Sequence, residues 1–325
     1  MLGLVLTANG LTVQRDLPEP QPLPHEVVLD VKLAGVCETD LQLVQGYMGF
    51  EGIPGHEFVG VPTSGRYQGQ RVAPDINCCP TVRCDRCPEN RHHCADRTVI
   101  GILGRSGGFA ERIAVPEENL YEIPDSIPDE QAVFIEPLAA AFEILEQIEI
   151  APRTPVTVLG DGRLGYLCSQ VLDAAGGNVT VIGKHANKLE RFRARGLTTI
   201  VLDELTPERN AEVVVDCTGS ESGLELALKL VRPRGTIVMK TTIAGRYDLD
   251  MAQIVIDELR LVGSRCGPFP RAIEALANQE IEVESLITSR FPLQQADQAL
   301  QTAAEKGQHK VLIIMDPNIE SRNTR

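Results

Sequence analysis

The spacing of apolar and polar side chains changes partway along the chain. Residues Val27–Leu33 alternate apolar and polar positions, as a strand with one buried face does. Pro18, Pro20, Pro22 and Pro24 predict an extended connection before that strand. Glycines and prolines also interrupt the rest of the segment up to about residue 135. The pattern therefore predicts a β-rich, irregular first segment.

From Glu136 onward the pattern becomes helical and then alternates between strand and helix. Residues Pro137–Ile148 place apolar side chains on one face, which predicts a helix. Short apolar runs beyond this helix predict buried strands. The predicted strands are Pro155–Leu159, Val179–Ile182, Val213–Asp216 and Thr236–Met239, with helices over Tyr166–Ala175 and Gly223–Leu230. Strands that alternate with helices at this spacing favour an α/β fold with a doubly wound parallel sheet.

A return to strand patterning sets the predicted domain boundaries. Strand-like spacing resumes at about Leu286 and ends at Val311–Ile314. We therefore expect a nucleotide domain over residues 137–286, inserted between two parts of a β-rich catalytic domain over residues 1–136 and 287–325.

Composition narrows the function classes. Of the 325 residues, 43% are hydrophobic and 23% charged, which is ordinary for a globular protein. The formal net charge of −14 repels phosphate backbones and argues against nucleic-acid binding. No stretch approaches the roughly 20 apolar residues of a membrane helix, and the first residues do not resemble a signal peptide. We expect a cytoplasmic protein with no membrane segment.

A glycine-rich turn lies between the first predicted strand and helix of the nucleotide domain. The run Gly160-Asp161-Gly162-Arg163-Leu164-Gly165 matches the G-x-G-x-x-G pattern in the strand–turn–helix context that gives the pattern its meaning. The first glycine permits the tight turn, the second lets backbone approach a pyrophosphate, and the third allows close helix packing. The helix N-terminus stabilises the anion. This run predicts dinucleotide binding.

The end of the second strand of this domain indicates which dinucleotide binds. NAD sites place Asp or Glu there to bond the ribose 2′-hydroxyl, but this chain has Gly183, followed by Lys184 and His185. A 2′-phosphate would meet no repulsion and would find nearby cations. We therefore expect NADP(H) to be preferred, with NAD(H) possible. The alternative is that Lys184 and His185 are only solvated loop residues.

Two groups of residues suggest metal binding. Cys37, His56 and Glu136 are thiolate, imidazole and carboxylate donors that zinc accepts, and Glu136 lies in a hydrophobic context where an unpaired carboxylate is costly. Five of the nine cysteines lie within residues 78–94. In a chain without a secretion signal, such clustering favours metal over disulfides.

These motifs together resemble the zinc-containing alcohol and polyol dehydrogenases of the medium-chain dehydrogenase/reductase superfamily. The resemblance covers nearly the whole chain, in family order. The motifs that carry it are Gly35-Val36-Cys37-Glu38-Thr39-Asp40, Pro54-Gly55-His56-Glu57, Glu136-Pro137-Leu138-Ala139, the glycine turn and Asp216-Cys217-Thr218-Gly219. It implies a Rossmann nucleotide domain inserted into a GroES-like catalytic domain. It also implies a zinc-dependent oxidoreductase (EC 1.1.1.-) that moves hydride between NAD(P)(H) and an alcohol, polyol, sugar or corresponding carbonyl.

The resemblance assigns zinc ligands residue by residue. Cys37 and His56 correspond to ligands of the catalytic zinc. Glu136 falls where alcohol dehydrogenases use a second cysteine and the polyol-type enzymes use glutamate. Glu57 resembles a nearby carboxylate that ligates zinc in some members. Whether Glu57 or Glu136 completes the resting site is left open.

The same resemblance assigns catalytic and cofactor roles. Thr39 corresponds to the hydroxyl that bonds the substrate oxygen and starts the proton relay, and Asp40 to the acid that holds the ligand histidine. Many members carry a histidine three residues beyond that hydroxyl, whereas here the residue is Gln42, which cannot exchange a proton at neutral pH. Thr218 falls in a motif that follows a strand of the nucleotide domain and is expected to contact the cofactor.

The cysteine cluster resembles the family's structural zinc lobe, with a departure. The expected ligands are Cys79, Cys84, Cys87 and Cys94, within a lobe at about residues 78–94. Thr81 stands where the first ligand belongs, so that Cys78 or Cys79 has to serve instead. His92 or His93 as a substitute ligand and a lobe without metal are the alternatives.

The resemblance also implies small-molecule substrates and a homodimer or tetramer, because members commonly pair the sheet edge near Leu259–Val262. Two rival functions remain. A zinc-free reductase of the same superfamily would lack Cys37 and His56. A non-catalytic, redox-sensing module would bind NADP(H) and use the cysteine cluster as its switch.

Overall fold

The computed structural model describes residues 1–80, 91–241 and 251–315. The chain divides into two compact units, one formed by Met1–Glu136 with Ala272–Arg325, the other by Pro137–Arg271. These units meet at residues 136 and 137 and at residues 271 and 272, whereas the sequence pattern places the domain boundaries at residues 136 and 137 and at residues 286 and 287. Residues 272–286 pack with the first unit, where Gln131 Nε2 donates to Glu284 Oε1 at 2.6 Å.

Strands and helices follow one another in the order that the periodicity predicts. The strands are β1 Gly3–Thr7, β2 Gly10–Gln14, β3 Glu26–Gly35, β4 Glu57–Pro62, β5 Val72–Pro74, β6 Asn77–Cys78, β7 Thr98–Ile100, β8 Gly104–Arg105, β9 Arg112–Pro116, β10 Leu120–Glu122, β11 Pro155–Leu159, β12 Asn178–Gly183, β13 Thr198–Val201, β14 Ala211–Asp216, β15 Val231–Met239, β16 Arg260–Gly263, β17 Ile287–Pro292 and β18 Lys310–Ile314. The α-helices are α1 Glu38–Val44, α2 Asp129–Ala132, α3 Ile135–Gln147, α4 Arg163–Ala174, α5 Ala186–Ala194, α6 Glu221–Leu230, α7 Met251–Ile256, α8 Phe269–Ala277 and α9 Ala296–Ala303. Short 3₁₀ turns lie at Tyr47–Gly49, Arg91–His93, Glu117–Asn119, Leu202–Glu204, Glu284–Leu286 and Leu293–Gln295.

A seven-stranded sheet forms the frame of the first unit. Its order is β10-β5-β4-β3-β18-β17, and β9 also pairs with β3. The pairs are antiparallel except for β17 with β18. The alternation predicted for Val27–Leu33 is confirmed, because Leu29 is fully buried and its neighbours Val28 and Asp30 are half-buried. The β-rich, GroES-like character expected for this unit is observed.

The second unit is built on a six-stranded, entirely parallel sheet. Its order is β13-β12-β11-β14-β15-β16, the arrangement of a doubly wound dinucleotide fold. Strands of such sheets are buried on both faces, which explains their continuous apolar runs. Helix α4 begins at Arg163, ahead of the predicted start at Tyr166, because Gly162 is extended and the helix starts directly after it. The predicted Rossmann fold is confirmed.

The register of this sheet places three strand ends side by side. Leu159 at the end of β11 pairs with Ile182 of β12 and with Asp216 of β14. The strand order reverses at β11, and ligands of open α/β sheets bind outside the carboxyl ends of the strands at such a point. Among the described helices, none has the length and apolar character needed to cross a bilayer.

Candidate metal centre and nucleotide site

Three potential metal ligands come together at one end of the β3–β4 pair. Cys37 caps helix α1 just after β3, and His56 immediately precedes β4, whose first residue is Glu57. Gly35 pairs with Glu57 in the register, so the two segments meet. Ligand atoms of Cys37, His56 and Glu57 lie within 4.8 Å of one another. His56 and Glu57 are buried and Cys37 is partly exposed, so the group is open on the thiol side.

Asp40 ties the two ligand segments together. Its side chain is fully buried. Oδ2 accepts the backbone N–H of Cys37 at 2.8 Å, and Oδ1 accepts that of Gly55 at 3.2 Å. His56 Nδ1 lies 3.3 Å from Asp40 Oδ1. This contact is an ion pair and not a hydrogen bond, and it leaves Nε2 for a ligand; an acid beside one nitrogen is typical of metal-bound histidines.

The charge at this site is what a divalent cation requires. Burial by itself lowers the pKa of His56, but the interactions of its ring with Asp40 and Cys37 outweigh burial and raise the pKa well above its usual value. A buried position that attracts a proton this strongly also attracts a metal cation. Thiolate, imidazole and carboxylate donors are the set that zinc accepts. The residues present therefore fit a zinc ion.

A buried lysine, which the sequence analysis missed, neutralises Glu57. Lys310 Nζ forms an ion pair with Glu57 Oε2, and the two side chains are 2% and 1% exposed. The ammonium also lies 5.2 Å from the centroid of the Phe134 ring. A Cβ on Gly35 would lie 2.5 Å from Val133 Cγ1, 3.0 Å from Lys310 Cδ and 3.1 Å from Glu57 Oε2, so Val133 and the ion pair share the space that this glycine leaves.

Glu136 lies within electrostatic reach of the same group. Desolvation by burial raises its pKa to about 7, with a smaller contribution from the negative charge of Glu57, while the positive charges of His56 and Lys310 oppose the rise. In the described ranges, the cluster of ligand atoms within 4.8 Å contains Glu57 and not Glu136. Glu57 is thus the carboxylate beside Cys37 and His56 in this structure. Glu136 is a partly exposed acid that a cation would stabilise as the anion.

The residues proposed for proton transfer lie on helix α1. Thr39 is in its first turn and Gln42 follows three positions later, so the two side chains share one face. Both are partly exposed.

The structure describes part of the cysteine lobe. Cys84 and Cys87 lie outside the described residues. Cys79 Sγ and Cys94 Sγ are 3.9 Å apart and both residues are buried. Two thiolates on one tetrahedral zinc, each about 2.3 Å from the metal, are about 3.8 Å apart. The Cys78 thiol instead faces Ile76 O at 3.8 Å, and His92 Nε2 lies 2.7 Å from Asp75 Oδ2. Cys79, rather than Cys78, is therefore the thiol beside Cys94.

Two of the three glycines in the turn of the second unit exclude a side chain for steric reasons. Gly160 has a φ of +118°, and a Cβ there would lie 2.7 Å from Cys217 O. A Cβ on Gly165 would lie 2.1 Å from Gly160 O, so helix α4 can approach the turn only with glycine here. A Cβ on Gly162 would meet nothing within 4 Å, which leaves backbone accessible at the N-terminus of the helix. Arg163 and Leu164 in the first turn are partly exposed.

The end of β12 is occupied by a residue from the glycine turn. Gly183 is buried, and a Cβ built on it would lie 2.6 Å from Asp161 Cβ and 2.7 Å from Asp161 Oδ2. Asp161 Oδ2 accepts the His185 backbone N–H at 2.7 Å, and His185 Nδ1 lies 3.0 Å from the same oxygen. Lys184 and His185 are exposed. The place expected to lack an acid thus contains a carboxylate from elsewhere in the chain.

Thr218 closes the turn after β14. Its backbone N–H and hydroxyl donate to Asp216 Oδ1 at 2.9 and 2.7 Å. Asp216 is buried at the end of its strand. These bonds hold the Thr218 segment at the carboxyl edge of the sheet, where Cys217 O lies next to Gly160.

Comparison with protein families gives two matches that together span most of the chain. Residues 23–125 match the alcohol dehydrogenase GroES-like domain. Residues 164–280 match the zinc-binding dehydrogenase family.

Relatives agree with these matches over their full length. The sorbitol dehydrogenase of Halalkalibacterium halodurans is 26% identical over 341 residues, covering 96% of this chain and 99% of that protein. A putative zinc-binding dehydrogenase from Sinorhizobium meliloti 1021, solved bound to NADP, is 27% identical with a TM-score of 0.87, covering 97% of this chain and 99% of that one. A short chain alcohol dehydrogenase from Escherichia coli CFT073, solved with NADH, is 27% identical with a TM-score of 0.86 and the same coverage.

Proposed function

The chain belongs to the zinc-containing medium-chain dehydrogenase/reductase superfamily, and we propose that it is a zinc-dependent dehydrogenase acting on a polyol, sugar or other alcohol. The reaction moves a hydride between the substrate carbon and NAD(P). The observation that carries this proposal is the group of Cys37, His56 and Glu57, in which the last two are buried and Asp40 braces the Cys37 and His56 segments.

Cys37 and His56 would hold the catalytic zinc, with Glu57 or Glu136 as the carboxylate ligand. A bound zinc ion supplies Lewis acidity that lowers the pKa of a substrate alcohol. Asp40 holds His56 by Nδ1 and so sets the direction of Nε2. The Lys310 ammonium holds Glu57, which supports Glu136 as the free carboxylate.

Thr39 is the residue that we assign to the substrate proton. Its hydroxyl is partly exposed on the first turn of α1, next to Cys37. Gln42 on the same face can donate and accept hydrogen bonds but cannot take up a proton. A proton received by Thr39 would therefore have to leave by a route other than Gln42.

For the cofactor we propose NADP(H) as the preferred form, with NAD(H) also bound. The glycine turn, namely Gly160, Gly162, Arg163, Leu164 and Gly165, would receive the pyrophosphate, and Thr218 would line the same edge. Gly183 carries no acid, the exposed Lys184 beside it supplies a cation for a 2′-phosphate, and His185 is exposed next to it. The NADP and NADH complexes of the two solved relatives support binding of either dinucleotide.

We also propose a structural zinc at Cys79, Cys84, Cys87 and Cys94. The 3.9 Å separation of the Cys79 and Cys94 sulfurs supports it. Polyols are the substrate class favoured by Glu136 and by the likeness to sorbitol dehydrogenase. A cytoplasmic homodimer or tetramer stays our prediction.

Elemental analysis combined with a substrate screen tests the proposal. Chelator-free protein should contain two zinc ions per chain and turn over some polyols, sugars or alcohols with NADP⁺ or NAD⁺. Cys37→Ser should remove one zinc and all turnover while reduced-cofactor fluorescence still reports binding. Cys266→Ser, in the second unit, is the matched control and should retain both zinc ions.

Two different results would contradict the proposal, and each points to a different conclusion. Wild-type protein without zinc, or turnover that survives Cys37→Ser, refutes the catalytic site. Cofactor binding with no turnover across the screen, together with reversible oxidation of Cys79 and Cys94, favours the redox-sensing module instead.

A further inference from the structure

The space next to Gly183 is filled by the side chain of Asp161. In NAD-binding relatives of this fold, an acid at the end of the second strand projects from its own Cβ toward the adenosine ribose. Here the position of that Cβ lies 2.6 Å from Asp161 Cβ and 2.7 Å from Asp161 Oδ2. A side chain from the glycine turn and one from the strand end would thus occupy the same volume. Only one of the two can be present.

The Asp161 carboxylate is held in place by the residues that follow β12. Its side chain is 9% exposed and lies at the start of α5. The His185 backbone N–H donates to Oδ2 at 2.7 Å, and His185 Nδ1 lies 3.0 and 3.2 Å from the two oxygens. An ionised carboxylate offers about four lone-pair positions. With three contacts to its two oxygens, the carboxylate retains acceptor capacity for a ribose hydroxyl.

We propose that Asp161 is the carboxylate that binds the adenosine ribose hydroxyls of the cofactor, supplied by the glycine-rich turn in place of an acid at position 183. This inference rests on the proposed function and specifies its cofactor site. It makes NAD(H) a true cofactor of the chain, because a carboxylate bonds the free 2′-hydroxyl. The Asp161 carboxylate would also repel the 2′-phosphate of NADP(H), whereas Lys184 and His185 would attract that phosphate.

Cofactor preference is then a balance between opposite charges at one strand end. The exposed Lys184 ammonium is screened by water, and His185 is already engaged with Asp161. Asp161 is buried, so its charge is screened less. Removing the Asp161 charge should therefore shift preference toward NADP(H), whereas removing the Lys184 charge should shift preference toward NAD(H).

Direct binding of NADPH and NADH, measured by the fluorescence of the reduced nicotinamide, tests this without needing a substrate. Asp161→Asn keeps an oxygen that can accept the His185 N–H but removes the charge. We expect the ratio of the two dissociation constants to move toward NADPH by about tenfold or more, as for loss of a charge-assisted hydrogen bond. Lys184→Ala, the matched control, should move the ratio the opposite way.

A rescue variant separates recognition from a structural role. The double variant Asp161→Gly with Gly183→Asp moves the carboxylate to the strand end and removes the steric conflict, so it should recover NADH affinity. An Asp161 that only braces the turn would lower both affinities equally in Asp161→Asn. An unchanged ratio overturns the inference while the dehydrogenase proposal stands. Failure of wild-type protein to bind either cofactor overturns both.

Discussion

Replacing Lys310 by Met tests whether the buried ion pair beside the metal ligands stabilises the first unit. The substitution removes the ammonium and keeps an unbranched apolar side chain of similar length. Glu57, 1% exposed, then loses the partner of its charge. Breaking a buried pair by removing one partner costs about 3–5 kcal/mol. Loss of the contact with the Phe134 ring is part of that cost.

Protonation sets a ceiling on the part of the cost that comes from the unpaired charge of Glu57. An unpaired buried carboxylate escapes its desolvation penalty by taking up a proton. For an ordinary glutamate, with a reference pKa of about 4.3, protonation at pH 7 costs about 3.7 kcal/mol. The folded variant then binds one more proton than its unfolded chain, so its stability relative to wild type rises as pH falls. The deficit, meaning the free energy of unfolding of wild type minus that of Lys310→Met, should shrink by about 1.4 kcal/mol for each unit that the pH is lowered from 7.5 to 6.

Urea unfolding of wild type and variant measures the deficit as the shift in midpoint multiplied by a shared m value. The double variant Glu57→Gln with Lys310→Met is the control, because it leaves no unpaired charge. It should be more stable than Lys310→Met alone and show a deficit nearly independent of pH. A Lys310→Met deficit below about 1 kcal/mol at pH 7.5, or one that does not vary with pH, would refute this account of the pair.

Three further outcomes are expected. Gly165→Ala should abolish binding of both cofactors in a fluorescence titration, because the added Cβ would lie 2.1 Å from Gly160 O. Gly162→Ala is the control and should fold normally, because its Cβ would meet nothing within 4 Å. Equal cofactor binding by the two variants would contradict this prediction. Cys79→Ser should lower the melting temperature more than kcat and release one zinc, whereas Cys78→Ser should leave the zinc content unchanged. Sedimentation should give a homodimer or tetramer, since β16 is an edge strand and Val255 and Ile256 are 72% and 79% exposed; a monomer at micromolar concentration would contradict this.

The fold was predictable because periodicity and turn residues agree along most of the chain. The strand Pro155–Leu159 has the predicted bounds, and the glycine turn, the helix after it and the parallel sheet are all confirmed. Helix α5 and the short strand β13 were not predicted. Helix α5 has four charged residues among nine, and Leu189 and Phe192 are its buried residues, so apolar periodicity is weak there.

Candidate zinc ligands were found because their types and spacing are distinctive, but their partners were not. Lys310 is the first residue of an apolar strand, and from sequence alone a lysine at a strand end is interpreted as solvent-exposed. Its burial depends on Glu57, which is 253 residues away in the chain. Cys79 and Cys78 are adjacent in sequence, and only the direction of each side chain distinguishes the thiol that faces Cys94. Such pairings are set by tertiary contacts that local patterns do not contain.

The sequence did not predict the surroundings of two buried carboxylates, Glu57 and Asp161, for the same physical reason. Glu57 packs against Gly35, where a Cβ would lie 3.1 Å from its Oε2, and Asp161 packs against Gly183 in the same way. Both glycines end a buried strand, where losing a side chain would otherwise leave a gap. A glycine at such a position therefore marks space for a side chain from another segment. The absence of an acid at Gly183 shows only that the strand does not supply one, and says nothing about the charge that the site contains.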